Sequence, residues 1–179
     1  MHEGYMMDAS NIENYPGLQN IVTAVLDDMD VSYQALDTEY IVLRLSAGSG
    51  ILSCQIHTED EEGWRCLTIT VAAPSYVPKT RFAEVSEWIV RRNYMLRVGA
   101  YHLDHGDGEI QYRISALLGD SLATPEIVQA NLITALEMMD RAVPEVMAIA
   151  FGDQSPLQVI TEADKIDADS DTAADGPLQ

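Results

Sequence analysis

Residues 80–119, TRFAEVSEWIVRRNYMLRVGAYHLDHGDGEIQYRISALLG, decide the fold of this chain. Phe82, Val85, Trp88 and Ile89 recur at helical spacing, and Pro78 stands where a helix start tolerates a missing N–H. An amphipathic helix is therefore expected over 79–93, with Arg91 and Arg92 complementing its C-terminal dipole. Beyond Asn93 the period drops to two. Leu96, Val98 and Ala100 share one side of a strand over 96–104, and Ile110, Tyr112 and Ile114 share one side of its partner over 108–117. Between them, Asp104-His105-Gly106-Asp107-Gly108 is rich in residues that tolerate the positive φ of a tight turn. A helix and a hairpin of this kind need a larger sheet to lie on.

The upstream sequence supplies it. Leu18, Ile21, Val22, Val25, Leu26 and Met29 predict an amphipathic helix over 17–29, and Asp27, Asp28 and Asp30 oppose its C-terminal dipole and help stop it. Residues 31–36 read as a short strand. Ile41, Leu43 and Leu45 alternate in the next, Ala47-Gly48-Ser49-Gly50 turns the chain, and strands 51–58 and 64–72 flank an exposed acidic loop at 59–62. Three adjacent antiparallel strands with one apolar face make a meander that helices must cover. Thr124-Pro125-Glu126 opens a last helix that runs to about Phe151, with a kink expected at Pro144. The order helix, three strands, helix, two strands, helix gives an α+β fold: one antiparallel sheet flanked by helices. Residues 1–13 are a loose arm and 14–152 the domain. Residues 153–179 are an acidic tail expected to be disordered, in which Val159 and Ile160 are the one pair that could dock.

Charge is the strongest compositional deviation, with 29 acidic against 10 basic residues and a net charge of -19. The tail holds seven acids and one base, net -6; the preceding 152 residues hold 22 acids and nine bases, net -13. The excess thus belongs to the folded part. A polyanion is repelled by nucleic acid and by anionic lipid, so the expected partners are a second copy of the chain and a protein with a basic or apolar segment. No apolar run is long enough to span a membrane and no secretory leader is evident, which points to the cytoplasm.

The chemistry that breaks or makes bonds finds no frame here. No Ser, Cys or Thr sits in a nucleophile motif, no glycine pattern cradles phosphate ahead of a helix, and no cofactor is implied. His102, Asp104, His105 and Asp107 are the best metal-ligand candidates, because strand and turn could bring three or four N and O donors together. The same residues make a structural turn by themselves, and they lack the length and distal Glu of a calcium loop. Cys54 and Cys66 fall on opposite faces of one hairpin, which argues against a disulfide. Trp64, Trp88, Tyr94, Met138, Met139 and Met147 are expected in the core. No partner-binding residue stands out.

Asn93, Gly99, Tyr101, Asp104, Gly108, Ile110, Tyr112 and Arg113 together resemble the pattern of the YbjN family, bacterial sensory transduction regulators. There a helix ends in Asn, and a glycine-bearing strand, an Asp/Gly turn and a strand with a Tyr-Arg pair follow. The resemblance spans about 14–150. It implies a fold similar to type III secretion chaperones: a five-stranded antiparallel sheet in the order α-β-β-β-α-β-β-α, acting as a homodimer that binds protein segments without catalysis. It also implies structural roles for the matched residues: backbone reasons for Gly99 and Gly108, a helix C-cap for Asn93, and a cross-strand ion pair for Arg113.

Overall fold

The computed structural model describes residues 17–61, 64–118 and 123–174, the last helix by its backbone alone beyond Ile166. The elements are α1 (Leu18–Asp28), β1 (Tyr33–Ala35), β2 (Tyr40–Ala47), β3 (Gly50–Glu61), β4 (Trp64–Ala72), α2 (Phe82–Met95), β5 (Ala100–Leu103), β6 (Ile110–Leu117), α3 (Pro125–Phe151) and α4 (Pro156–Ala174). The sheet is antiparallel throughout, in the order β1-β2-β3-β4-β6-β5.

Six strands stand where the family resemblance implies five. The additional member is β1, whose Tyr33, Gln34 and Ala35 pair with Leu43, Val42 and Ile41. It is short and bounded by Asp30 and the turn at Asp37, yet it extends the sheet by one full strand. A second correction concerns the tail. Residues 156–174 form α4, and Pro156 and Val159 are buried. The expected arm at 1–13 lies outside the described residues.

One row of the sheet shows how the core is built. Tyr33, Leu43, Cys54, Val71, Tyr112 and Tyr101 stand side by side across all six strands, and the neighbouring row holds Ile41, Ile56, Ile69 and Ile114. These inward positions are buried, or half-buried at Tyr33, whereas Ile51, Ser53, Gln55, Arg113, Ser115 and Leu117 on the alternate positions are exposed. All the helices therefore lie on one face. Burial pushes the Cys54 thiol up to about 12.

Helix ends are fixed by distant side chains as well as local ones. Gly17 offers no side-chain cap to α1; Asp60 Oδ2, on the sheet, accepts from Leu18 N at 2.8 Å. Arg65 holds that carboxylate through Nε at 2.6 Å, and its hydrogen bonds keep Asp60 below the usual carboxylate range. Glu59 to Glu61, expected in a loop, thus extend β3. At the other end of α1, Asp30 takes φ 54°, and Val31 N and Asp30 N donate back to Leu26 O and Asp27 O. The Thr124 side chain caps α3, which continues through Pro144 to Phe151. Asp140 on α3 accepts from Ser49 N (2.7 Å), Ser49 Oγ (2.5 Å) and Gly48 N (3.3 Å), tying that helix to the β2–β3 turn.

Candidate functional site

The helix-covered side of the sheet is filled. Trp88, Tyr101 and Tyr112 form an aromatic cluster with ring centroids 4.9 and 5.0 Å apart. Tyr101 Oη donates to Met138 O and Tyr112 Oη to Val98 O, so both polar ends are satisfied. Trp88 Nε1 donates to Glu145 at 2.7 Å, and Arg92 grips the same carboxylate through Nε and Nη2 at 3.0 and 2.7 Å. The free corner of Arg92 donates to Asp164 Oδ1 at 2.8 Å, so one guanidinium joins α2, α3 and α4.

Asn93 is not a C-cap, because α2 continues to Met95. Its carboxamide accepts from Tyr101 N at 2.8 Å and donates to Tyr101 O at 3.0 Å. It replaces the strand that β5 lacks on its outer edge. The two glycines of the pattern do serve the backbone. Gly99 (φ +65°) faces the Tyr112 ring and Gly108 (φ +93°) the Val77 carbonyl, where a Cβ would collide.

The metal candidates do not converge. Asp104 Oδ1 accepts from Gly106 N at 2.6 Å and Asp107 Oδ1 from Glu109 N at 2.9 Å, so both carboxylates shape the turn. His105 leans on Phe82 and on Ser86 Oγ. His102 projects from the other face of the sheet, where burial and the neighbouring Arg113 lower its pKa. Among the described residues no three His, Cys, Asp or Glu side chains are grouped to hold a metal. Arg113 bonds Gln111 Oε1 at 3.3 Å on its own strand rather than a carboxylate across the sheet. Trp88 and Met139 are core; Met138 and Met147 pack against it; Trp64 and Tyr94, at 49% and 87% exposed, lie outside it. The two cysteines are free.

What sequence reasoning missed is the uncovered face of the sheet. Three rows of side chains cross it. The first is Gln34, Val42, Gln55, Thr70, Arg113 and Ala100. The second is Arg44, Ser53, Ala72, Gln111 and His102. The third is Tyr40, His57, Thr68 and Ser115, in which Tyr40 and His57 stack at 4.2 Å. No carboxylate stands in these rows, although acids make up 29 of the 179 residues. Acids begin at the rim, at Glu39, Glu59, Glu61 and Glu109. A shallow basin of about 630 Å³ lies over the first two rows, lined by Gln34, Arg44, Ser53, Gln55, Thr70 and Gln111 among others, with the carboxylate of Glu109 at its margin. The signal was present in the sequence: positions alternating with the apolar ones on β2, β4, β6 and the first part of β3, up to His57, are neutral or basic.

The profile of the family described as "YbjN: Putative bacterial sensory transduction regulator" matches residues 19–147, most of the domain. The chain belongs to the YbjN family. Among solved structures, the fold is similar to that of YbjN from E. coli, described as "a putative transcription regulator", with a TM-score of 0.58 at 16% identity. The likeness covers 74% of this chain and 93% of that one. No protein in the curated comparison matches. No helix among the described residues is long and apolar enough to cross a membrane.

Proposed function

We propose that this chain is a non-enzymatic regulatory protein that acts as a homodimer and recognises an extended segment of another protein on its open sheet face. One observation carries the reading: in a chain of net charge -19, the broad uncovered face of the sheet presents Arg44 and Arg113 and no carboxylate across three rows. Its remaining polar groups are amides, hydroxyls and the imidazoles of His57 and His102, which bind by hydrogen bonding. The regulatory description of the family supports the same direction.

Net charge by itself favours a basic or apolar partner, and the acidic rim at Glu39, Glu59, Glu61 and Glu109 fits such residues. The centre of the face fits the opposite. An extended segment places alternate side chains toward the sheet, and carboxylates among them would meet Arg44 and Arg113. The partner is thus a protein segment with acidic or amide residues at its centre and basic or apolar ones at its ends.

Affinity capture from native lysate with the wild-type chain and an Arg44→Glu, Arg113→Glu variant tests this, alongside light scattering. Partners held by the wild type should be lost from the variant while its melting temperature stays unchanged. Capture of the same proteins by both would sink the sheet-face reading. A small polar ligand released in native mass spectrometry would favour a ligand sensor instead.

A further inference from the structure

The connection between α3 and α4 separates two independently terminated helices. Gly152 ends α3, its N–H donating to Ala148 O at 3.0 Å. Ser155 begins α4 with a reciprocal cap: Gln158 N donates to Ser155 Oγ at 3.4 Å, and Ser155 N to Gln158 Oε1 at 3.1 Å. Between them Asp153 sits at φ 55°, a left-handed conformation that a non-glycine residue adopts at some cost, held there by an ion pair with Arg81. The family match ends at Met147, before α4 begins.

Every contact that α4 makes with the body is made beyond this short connection. Pro156, Val159 and Ile160 supply the apolar contact and Asp164 the link to Arg92. A second copy presents the same groove to the same helix. We infer that α4 is exchanged between two copies of this chain, each docking its helix on the α2–α3 surface of the other. The inference rests on the self-association in the reading above and deepens it by naming the element that mediates it.

An exchanged dimer repeats the closed contacts, so its gain comes from hinge relief and from the new contact where the two connections cross. Both are available here. Opening the connection releases Asp153 from its left-handed conformation. Phe151 and Leu157, which flank the connection, are 60% and 56% exposed in the single chain, and they meet their counterparts when the hinges cross.

The test uses the full chain in a Cys66→Ser background, with spin labels on cysteines placed at the exposed positions Val90 of α2 and Ile166 of α4. Labelled chains are diluted in a large excess of unlabelled ones, refolded together, and examined by light scattering and dipolar distance measurement. The expected result is a dimer whose intrachain label separation exceeds that of the closed chain. A Gly/Ser insertion after Gln154 relaxes the connection, and should weaken the dimer about tenfold or more and restore the short separation. A dimer that keeps the short separation overturns the exchange and leaves self-association standing. A monomer at all concentrations overturns both.

Discussion

The two faces of the sheet are made by the same strands, and residues one position apart meet opposite demands. On β3, Leu52, Cys54 and Ile56 are sealed under helices while Ser53 and Gln55 face water. On β6, Tyr112 and Ile114 are inside while Arg113 and Ser115 are outside. The covered face is tied together by groups that are each satisfied by the others, such as Trp88, Arg92 and Glu145. The open face carries groups with spare hydrogen-bonding capacity. Stability therefore belongs to the covered side, and the proposed function gives recognition to the open one; a substitution on either side should report which it serves.

The largest contrast should appear between the two cysteines, one on each face. Cys54 is buried with its thiol pushed up to about 12, whereas Cys66 is half-buried on the open face. A thiol reagent should label Cys66 in the native protein about 1000-fold faster than Cys54, which waits for unfolding. Similar rates, followed by mass spectrometry of the labelled peptides, would show that the covered face opens readily.

Next in size is Trp88→Ala, which removes the largest fully buried side chain and one donor to Glu145. It should cost about 4 kcal/mol in urea unfolding. A loss below about 1 kcal/mol would mean that the packing under α2 is not what holds the covered side. Asn93→Ala should cost about 2 kcal/mol, because both Tyr101 backbone groups lose their partner. It should also raise concentration-dependent association through the bared β5 edge, read by light scattering.

A smaller and pH-dependent effect belongs to Asp140. The Ser49 hydroxyl and then the Ser49 N–H hold its carboxyl below the ordinary range. The folded-state value lies below the unfolded one, so its contribution is present above the ordinary carboxylate range and is lost as pH falls through the depressed value. Asp140→Asn should cost about 1 kcal/mol at neutral pH and flatten the acid limb of the stability curve. Unchanged acid behaviour would assign that limb to other carboxylates, Asp60 first among them. The smallest effect is expected on the open face: Arg44→Ser with Arg113→Ser should change stability by no more than about 0.5 kcal/mol. A larger loss would mean that this face, too, is structural.

Strong periodicity made most of the fold legible. The apolar stripes of α1, α2 and α3 and the alternation of β2, β3, β4 and β6 reappear in the structure within a few residues. What the sequence obscured has physical causes. Residues 31–36 read as a strand, but three ladder pairs are too few to announce membership of the sheet. In 153–179 the abundance of acids hid a helix start spelled out by Ser155-Pro156 and Gln158, a capping pair with proline at the first helical position. Asp60 looked like one of four solvated acids, because its helix-capping role needs Leu18, 42 residues away. Trp64 and Tyr94 looked like core because large aromatics usually are. The open face escaped notice for a different reason: a surface made largely of Gln, Thr, Ser, His and two Arg has no periodic signature beyond the gaps between apolar residues.

The Asn93 carboxamide has a consequence for synthesis. It precedes Tyr101 by eight residues, so it leaves the ribosome ahead of the strand whose margin it guards. When Tyr101 emerges, the group that pairs with its outward amide and carbonyl is already on the nascent polypeptide. A neighbouring chain on a polysome that approaches the outer side of β5 then finds the groups of Tyr101 already taken.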